Sequence, residues 1–353
     1  MSKEIVVALD GMGGDNAPDA VVRGADMARE RYPDTRFLLF GDEARLGPLV
    51  ARTRLLKSCC QIRPATDVVS NDDKPSAALR RRRKSSMWLA IEALAQGEAQ
   101  CVVSGGNTGA LLAMSMFVLR TLADVHRPAL ASFIPTMRGE SVMLDLGANV
   151  ECDETNLTEF AVLGSVFAKT VLGLDEPTVG LLNVGAEEVK GHEALRDAAT
   201  MLKLEASPVS FAGFVEGNDI VAGAVDVVVT DGFTGNIALK AIEGTARLYT
   251  DFVREAFKTS TFAKLGYLLA SGAWQKLRKR VDPRRYNGGV FLGLNGICVK
   301  SHGGTDDIGF AYAVGLAVDM IRYSFSEKAI VELRRLRAAA AGSTPGPVAT
   351  AAT

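Results

Sequence analysis

Two loops of this sequence each place threonine, glycine and asparagine together just after a short apolar run. They read SGGNTGALL at residues 104–112 and DGFTGNIAL at residues 231–239. Threonine hydroxyls and asparagine amides supply neutral hydrogen-bond donors, and glycine lets a ligand approach the backbone. Ordinary N-capping explains either loop alone, but two such loops in one sheet favour a site for phosphate or an oxyanion. The binding residues predicted in these loops are Asn107, Thr108, Gly109, Thr234 and Gly235.

A third glycine loop, DGMGGDNAP at residues 10–18, joins an apolar run to a helix that we expect to begin at Pro18. It lacks the GxGxxG dinucleotide fingerprint, and no GxxxxGK[ST] phosphate loop occurs anywhere in the sequence. Its backbone N–H groups and the positive end of the helix still suit an anion. The predicted binding residues here are Asp10, Gly11, Gly13 and Gly14.

The aspartates of this loop, Asp10 and Asp15, would repel a bare phosphate if they faced it. Three roles are open to them: capping the turn, holding a cationic side chain, or binding a metal. Turn-capping is the usual role of aspartate in a glycine-rich loop. We therefore predict that both residues shape the turn and that the site contains no metal.

A fourth loop, NVGAEEVKGHEAL at residues 183–195, carries Lys190 where a helix is expected to begin. Cations are disfavoured near a helix N-terminus, so a lysine there is expected to point at a ligand, with a solvated surface lysine as the alternative. No GxSxG nucleophile motif occurs, and no cysteine adjoins a histidine in a matching loop. The predicted site therefore stabilises negative charge without a covalent intermediate. The remaining predicted binding residues are Asn149, His302 and Gly303.

One pattern recurs along the chain: a short apolar run, a loop rich in glycine, and a helical period. Strands that alternate with helices in this way predict an α/β protein of three layers with a mostly parallel sheet. Ligands bind outside the carboxyl ends of such strands, so we expect all the loops to converge on one site. The six runs are residues 5–9, 101–103, 142–146, 179–184, 225–230 and 297–300.

Composition bounds both the domain organisation and the class of partner. We predict one α/β domain over residues 1–337, with a helical excursion at about 240–286, and a disordered tail over 338–353. The 40 basic and 41 acidic residues leave a net charge of −1, which disfavours a globally basic nucleic-acid binder. The five cysteines form no CxxC pair and indicate free thiols. No apolar stretch reaches the roughly 20 residues of a membrane span, so we expect a soluble or peripheral protein.

Eight motifs together resemble the PlsX family, the phosphate acyltransferases of bacterial phospholipid synthesis. In order they are VALDGMGGDNAP, DDKPSAALRRRRKSSM, SGGNTGAL, LDLGANVEC, GLLNVGAEEVKGH, VVVTDGFTGN, DPRRYNGG and GLNGICVKSHGGTD. The resemblance covers about residues 4–325. It implies a fold similar to isocitrate and isopropylmalate dehydrogenases and to phosphotransacetylase. Phe214 and Asn218 depart from the family pattern, in which asparagine and arginine are common.

The resemblance also implies a reaction. Inorganic phosphate attacks the thioester of a fatty acyl carrier protein, giving acyl phosphate and the free carrier without nucleotide or metal. The family's catalytic lysine and asparagine fall on Lys190 and Asn236 of this sequence. Family members form homodimers in the cytoplasm, associate peripherally with the membrane, and supply a membrane-bound glycerol-3-phosphate acyltransferase.

Two charged or apolar surfaces fit those partners. The basic run RRRRK is either a solvated face or a docking site for the acidic carrier protein. The helical excursion mixes apolar and basic residues, which fits an interfacial helix on anionic lipid or a hairpin packed against a second subunit. The predicted docking residues are Arg80, Arg81, Arg82, Arg83 and Lys84, and the predicted membrane contacts are Leu268, Leu269 and Trp274.

Two other functions are compatible with part of the sequence. A dehydrogenase of the similar fold would need a nucleotide and a divalent metal, with Asp10, Asp15 and Asp231 as ligands. A membrane scaffold that recruits carrier protein would need no catalysis at all. Nicotinamide binding would distinguish the first, and function retained without Lys190 the second.

Overall fold

The computed structural model describes residues 4–280 and 282–342. Eleven strands form one sheet in the order β3-β2-β1-β4-β11-β10-β5-β6-β9-β7-β8. The strands are β1 (Ile5–Asp10), β2 (Thr35–Gly41), β3 (Cys60–Pro64), β4 (Cys101–Ser104), β5 (Ala129–Thr136), β6 (Gly139–Leu144), β7 (Thr178–Leu182), β8 (Ser210–Val215), β9 (Val227–Val229), β10 (Gly289–Leu292) and β11 (Ile297–Lys300).

Thirteen α-helices accompany the strands in the described ranges. The first seven are α1 (Asp19–Arg31), α2 (Glu43–Ala51), α3 (Pro75–Arg81), α4 (Ser86–Ala95), α5 (Thr108–Leu119), α6 (Glu154–Phe167) and α7 (Glu193–Leu202). The others are α8 (Gly217–Ala222), α9 (Gly232–Ala256), α10 (Thr261–Leu269), α11 (Ser271–Arg280), α12 (Asp307–Arg322) and α13 (Phe325–Gly342).

Apolar alternation along the strands places helices on both faces of the sheet. Val7 and Leu9 of β1 face a core that continues across the whole sheet beneath α1, α6, α12 and α13. Ala8, between them, faces a second core beneath α4 and α5. A third core lies beneath α8 and the start of α9. The predicted three-layer α/β architecture with a mostly parallel sheet is therefore confirmed.

Strand direction divides the sheet into two halves. Strands β3, β2, β1, β4 and β11 are parallel to one another, and so are β6, β9, β7 and β8. Between them, the steps from β11 to β10, from β10 to β5 and from β5 to β6 are all antiparallel. Three reversals leave the two halves running in opposite directions.

Strand β5 brings the carboxyl ends of both halves to one level. Its first residues pair with β10, which places Ala131 beside Val290, and its later residues pair with β6. At the end of β11, Lys300 lies beside Gly289, which is one residue before Val290 in β10. Just after β6, the Asp145 carboxylate accepts a hydrogen bond from Leu130 N at 2.9 Å.

The predicted convergence of six loops at one sheet edge is therefore wrong in its geometry. Three of the loops follow β1, β4 and β11, and the other three follow β6, β7 and β9 on oppositely directed strands. The reason is the antiparallel pair β5 and β10, which the apolar pattern did not predict. Both sets of loops nevertheless begin at the same level of β5, because the strands that precede them end there.

Helices α9 to α11 occupy the stretch in which the helical excursion was predicted, and α9 begins at Gly232, eight residues before the predicted start at about residue 240. Over the 25 residues of α9, only Gly232 and Gly235 are buried. Helix α10 buries no residue. This helical segment therefore projects from the body of the protein.

The C-terminal helix α13 continues through Gly342, so the predicted domain boundary at residues 337 and 338 falls inside a helix. Its last turns contain four successive alanines, which have the highest helix propensity. The rest of the predicted tail lies outside the described residues. In the described ranges no single helix is long and apolar enough to span a membrane; α12 and α13 meet that criterion only as a pair bent by 60°.

Candidate functional site

The first loop cluster comprises residues 10–16, 104–107 and 300–305, and its centre is a buried carboxylate. Asp10 is 1% exposed. It accepts hydrogen bonds from Ser86 Oγ at 2.6 Å, from Ser104 Oγ at 2.7 Å and from Met12 N at 3.3 Å. Burial raises the pKa of Asp10 even though these donors favour the charged form. Asp10 therefore holds the loops together and does not itself line a ligand site.

The glycines of the first loop are required by close packing around Asp10. A Cβ on Gly13 would lie 2.3 Å from Asp10 Oδ2, and one on Gly11 would lie 2.7 Å from the Phe40 carbonyl oxygen. Gly14 has φ +110°, a conformation that side chains rarely adopt. Asp15 N donates to the Gly303 carbonyl oxygen at 2.8 Å, which joins the loop after β1 to the loop after β11.

These two loops and the loop after β4 enclose a small crevice, the glycine crevice. Its wall combines loop residues with apolar side chains at the starts of α1 and α12. The lining residues are Gly13, Gly14, Asn16, Ala17, Ala20, Val21, Gly105, His302, Gly303, Thr305 and Phe310. His302 is exposed, and its Nδ1 accepts a hydrogen bond from Gly304 N at 3.2 Å. Because Nδ1 accepts, the neutral ring carries its proton on Nε2. Desolvation, reinforced by nearby Lys300, lowers the pKa of His302, so the ring is neutral at pH 7.

Lys300, which the sequence predictions do not include, is the buried cation of the first loop cluster. It is the last residue of β11 and only 9% exposed. Its Nζ donates to the Gly105 carbonyl oxygen at 3.3 Å and also to the Ser301 carbonyl oxygen. A lone lysine at the end of an apolar run gives no sequence signal of burial, so only its pairing partners could have identified it.

Asn107 has the ordinary capping role that was the alternative for its loop. Its Oδ1 accepts from Ala110 N at 3.0 Å, and its Nδ2 donates to the carbonyl oxygens of Asn71 at 2.9 Å and Asp73 at 3.1 Å. The amide is therefore occupied by the protein. Thr108 is exposed, and a Cβ on Gly109 would lie 2.7 Å from Pro75 Cγ.

The second loop cluster comprises residues 145–149, 183–192 and 230–236 and also has a buried carboxylate at its centre. Asp145 is 0% exposed and accepts from the backbone N–H groups of residues 130, 147, 148 and 149. Asn149 is buried, and its Nδ2 donates to Asp145 Oδ2 at 2.9 Å and to the Pro128 carbonyl oxygen at 2.8 Å. Burial raises the pKa of Asp145. Asn149 therefore supports the loop and does not point into open space.

Asn236 lies in the first turns of α9, beside the loop that Asp145 holds. Its Nδ2 donates to the Leu146 carbonyl oxygen at 3.1 Å, and the side chain remains exposed. An amide nitrogen has two protons, so one N–H can still donate to a ligand. Asp231 caps the helix: its Oδ1 accepts from Thr234 N at 2.8 Å, and its Oδ2 accepts from Thr234 Oγ1 at 2.7 Å.

Lys190 lies in the exposed loop between β7 and α7, which begins three residues later at Glu193. Asn183 organises this loop: its Nδ2 donates to the Lys190 carbonyl oxygen at 3.2 Å, and its Oδ1 accepts from Val184 N at 2.8 Å. The Lys190 ammonium has no ion pair with any described residue. It is therefore available to an anionic ligand.

Helix α9 connects the two loop clusters. It carries Asn236 near its start, and Lys240, Glu243 and Arg247 further along lie close enough to His302 to perturb its pKa. Asn236 and Lys240 are four residues apart, so they are separated by about 6 Å along the helix axis. The clusters therefore open toward the same side of the molecule.

The thiols near the sheet are poor nucleophiles. Burial raises the pKa of Cys60, Cys152 and Cys298 to about 12 in each case. Burial also raises the pKa of Cys59 and Cys101. Because the thiolate is the reactive form, none of the five cysteines is activated. Within the described ranges no group of three or more His, Cys, Asp or Glu side chains could hold a metal ion.

The basic run lies at the end of α3 and just beyond it. Arg82 is used internally, because it pairs with Asp67 at 2.8 Å and with Asp73 at 3.2 Å. The Arg83 guanidinium stacks over the Trp88 ring at 5.2 Å. The exposed members of the run are Arg80, Arg81, Arg83 and Lys84.

The projecting helical segment has an aromatic cluster inside and leucines outside. Trp274 is half-buried, with its ring 5.2 Å from that of Phe257 and 5.5 Å from that of Tyr267. Leu268 and Leu269 are 68% and 80% exposed. The exposed apolar surface therefore comes from the leucines, while Trp274 packs within the segment.

The two positions that depart from the family pattern lie on the far edge of the second half-sheet. Phe214, in β8, pairs with Leu181 of β7 and is half-buried against the core. Asn218 is exposed in α8, and its Nδ2 donates to Asp219 Oδ1 at 3.4 Å. Neither side chain contacts the two loop clusters through a hydrogen bond in the described structure.

Replacing Gly235 by alanine is expected to disturb the second loop cluster. A Cβ there would lie 1.9 Å from the Asp145 carbonyl oxygen, so the start of α9 must shift and carry Asn236 with it. Such overpacking costs about 1–3 kcal/mol of unfolding free energy. Gly244→Ala in the same helix has open space and should stabilise by about 0.5–1 kcal/mol. Urea unfolding checks both, and equal stabilities for the two variants would contradict the packing described here.

Comparison with known proteins identifies close relatives over the full chain. The family model described as "Fatty acid synthesis protein" matches residues 5–328. The phosphate acyltransferase of Rhodospirillum centenum is 61% identical over 352 residues, covering 100% of this chain and 99% of the relative. That of Rhodospirillum rubrum is 56% identical over 337 residues, covering 96% and 97%.

Solved structures of lower sequence identity share the fold. A phosphotransacetylase from Streptococcus pyogenes matches with a TM-score of 0.62 at 15% identity, covering 91% of this chain and 94% of that one. A putative 4-hydroxythreonine-4-phosphate dehydrogenase from Salmonella typhimurium matches with a TM-score of 0.52 at 13% identity, covering 90% and 100%. These structural matches confirm the predicted similarity of fold to phosphotransacetylases and dehydrogenases. The sequence relatives go further: this chain belongs to the fatty acid synthesis protein family, the PlsX-type phosphate acyltransferases, and is an acyltransferase.

Proposed function

We propose that the protein transfers a fatty acyl group from an acyl carrier protein thioester directly to inorganic phosphate. The observation that carries this proposal is the composition of the two loop clusters. They offer backbone N–H groups, a free lysine ammonium and an amide donor, and every cysteine has a raised pKa. Such a site suits anion binding and oxyanion stabilisation, and it disfavours an acyl-cysteine intermediate.

The reaction needs little acid–base help. An oxygen of the phosphate dianion attacks the thioester carbonyl carbon, and the C=O electron pair moves onto the carbonyl oxygen. As the tetrahedral intermediate collapses, the C–S bond breaks and the thiolate leaves with its electron pair. Because phosphate is largely dianionic at neutral pH and a thiolate is a moderate leaving group, positioning and charge stabilisation dominate.

Lys190 and Asn236 are the residues we assign to that stabilisation. The Lys190 ammonium neutralises charge on phosphate or on the oxyanion. Asn236 donates its second amide N–H to the carbonyl oxygen, while the first remains on the Leu146 carbonyl oxygen. That internal bond fixes the amide before the substrate arrives, and preorganised donors are the most effective ones. No nucleotide or metal takes part in these steps.

The reaction is tested with the purified chain, a long-chain acyl carrier protein and inorganic phosphate, with acyl phosphate trapped by hydroxylamine. We expect product from the wild type and a loss of about 10²–10³ in kcat for Lys190→Ala and for Asn236→Ala. Lys57→Ala, an exposed lysine far from both clusters, is the matched control. No product from the wild type would contradict the function, and full activity of both variants would contradict the site.

We propose that the exposed basic side chains of the RRRRK run bind the acidic carrier protein. Arg80, Arg81 and Lys84 are free of internal ion pairs in the described structure, whereas Arg82 is not. Phe117 lies beneath the Arg83 guanidinium at 5.4 Å and is 47% exposed, which adds an apolar contact to the patch. Opposite charges accelerate docking and make it sensitive to salt.

Reversing the charge of Arg80, Arg81 and Lys84 to glutamate is expected to raise KM for acyl carrier protein at least about tenfold at low salt. KM for a short acyl pantetheine thioester should not change, because that donor lacks the acidic protein. The control reverses three exposed basic residues elsewhere: Arg45, Arg52 and Lys57. An equal change in KM for the two donors would count against docking at this patch.

We also propose that the projecting helical segment brings a homodimer to the inner face of the membrane. Leu268 and Leu269 are exposed at its tip, with Lys264 and Lys276 nearby in sequence, which suits anionic lipid. Exposed apolar residues along α9 suit contact with a second copy; they include Leu248, Tyr249 and Phe252. Release at the membrane would deliver a reactive acyl phosphate, whose acyl chain is apolar, to a membrane-bound glycerol-3-phosphate acyltransferase.

The double variant Leu268→Asp with Leu269→Asp is expected to lose flotation with anionic vesicles. It should keep the sedimentation coefficient of a dimer, because the dimer contact is assigned to α9. Met27→Asp with Val331→Asp, at two exposed apolar positions elsewhere, is the control. Unchanged flotation of the first variant would refute the lipid contact, and a monomeric wild type would refute the dimer.

A further inference from the structure

Large apolar side chains are unevenly distributed between the two loop clusters. The first cluster, residues 10–16, 104–107 and 300–305, contains no exposed large apolar side chain. In or directly beside the second cluster there are five, which together form the apolar rim: Val150, Val184, Val189, Phe233 and Ile237. All are more than half exposed, from 53% for Ile237 to 81% for Val184. Exposed apolar residues scattered singly are normal, whereas five around one site indicate a binding surface.

A backbone hydrogen bond brings two members of the rim together from separate segments. Gly232 N, at the start of α9, donates to the Asn149 carbonyl oxygen at 2.7 Å. The next residues of the two segments are Phe233 and Val150. Both side chains therefore leave the protein next to the same fixed contact.

The two valines of the loop after β7 are brought together in the same way. Asn183 Nδ2 donates to the Lys190 carbonyl oxygen at 3.2 Å, which draws the ends of this loop together. Val184 follows Asn183 and Val189 precedes Lys190, so each is one residue from that contact. Because β7 pairs with β9, the loop begins beside the segment that leads into α9.

The rim borders the two groups that we assign to the thioester carbonyl. Val189 directly precedes Lys190, and Ile237 directly follows Asn236. An acyl chain begins at the carbonyl carbon, so a carbonyl oxygen held by Asn236 places the first methylene groups over the surface nearest to that amide. That surface is the rim.

The charged neighbours of the rim favour an uncharged occupant. Glu151 directly follows Val150, and Glu187 lies in the same loop as Val184 and Val189; both glutamates are exposed. Like charges repel, so these carboxylates disfavour an acidic protein or anionic lipid on this surface. The acyl chain of the donor is apolar and uncharged, and it is already attached to the group that reacts.

A second copy of the chain is the other occupant that exposed apolar residues suit. Ile237 of the rim and Leu248 of the proposed dimer contact share a face of α9, but about 16 Å of helix with only small side chains on that face separates them. A partner seated on the rim would also cover the Lys190 ammonium and the second amide N–H of Asn236, which the reaction needs. The acyl chain is compatible with both groups.

We propose that the apolar rim is the subsite for the acyl chain of the donor, with Phe233, its largest side chain, as the principal contact. This inference rests on the proposed function, which it deepens by naming the part of the site that recognises the acyl chain. Burying a methylene group completely strengthens binding about fourfold, and covering it on one side about twofold. Affinity for the donor should therefore increase with the length of its acyl chain.

The test measures chain-length dependence by calorimetry with two unreactive donor analogues. These are the 2-oxobutyl and 2-oxodecyl thioethers of pantetheine, which keep the carbonyl, contain no thioester bond and differ by six methylene groups. We expect the wild type to bind the longer analogue at least about tenfold more tightly than the shorter one.

The triple variant Val184→Thr, Val189→Thr and Phe233→Ser makes the rim polar, and threonine keeps the shape of valine. We expect it to bind the longer analogue less than about threefold more tightly than the shorter one, because the added methylene groups no longer meet an apolar surface. The control is Val331→Thr with Tyr323→Ser, at exposed positions outside both clusters, and it should keep the ratio of the wild type.

Equal affinities of the wild type for the two analogues, or the same ratio in wild type and triple variant, would overturn the proposal. A triple variant that sediments as a monomer beside a dimeric wild type would also overturn it, by assigning the rim to a second copy. If the triple variant fails to fold, Phe233→Ser alone takes its place, and an unchanged ratio again overturns the proposal.

The calorimetry is independent of turnover, so the subsite and the reaction can fail separately. A wild type that prefers the longer analogue through the rim but forms no acyl phosphate would contradict the reaction and leave the subsite standing. Acyl phosphate formed by a wild type that binds both analogues equally would contradict the subsite alone.

Discussion

Two buried carboxylates, Asp10 and Asp145, organise everything that this protein presents to a ligand. Each lies at the carboxyl end of a central strand, each is at most 1% exposed, and each accepts several hydrogen bonds from the loops around it. Burying a carboxylate is unfavourable unless donors surround it, so the loops can hardly move without exposing an unpaired charge. That constraint gives flexible glycine sequences a fixed shape. The glycines, in turn, allow the loops to approach the carboxylates closely enough to donate.

The topology of the sheet turns these two centres into one region. The halves of the sheet run in opposite directions, and β5 brings their carboxyl ends to the same level. Helix α9 then extends from the second cluster past His302 of the first. The result is a division of charge: a buried ammonium and backbone donors on one side, and an exposed lysine and a held amide on the other.

The sequence was sufficient for the fold class and for most of the loops, because strand, glycine loop and helix repeat locally. It failed where the answer depends on pairing between distant strands. Nothing in the sequence of residues 129–136 or 289–292 shows that these two strands pair in an antiparallel way. Without that pairing, the six loops could not be assigned to two oppositely directed halves of the sheet. Asp145 and Lys300 are inconspicuous in the sequence because their importance lies in burial. Asn107 and Asn149 were predicted as ligand donors, yet their amides are occupied by neighbouring carbonyl and carboxylate oxygens, which residue type alone does not reveal.

The most direct test of the two-cluster account is amide hydrogen exchange of the full chain with inorganic phosphate and an unreactive thioether analogue of the acyl donor. The two ligands together should protect amides in both clusters: residues 11–16, 104–107 and 302–305 of the first, and residues 145–149, 184–192 and 232–236 of the second. Protection confined to one cluster when both ligands are present would contradict the claim that the two buried carboxylates build a single acyl-transfer site.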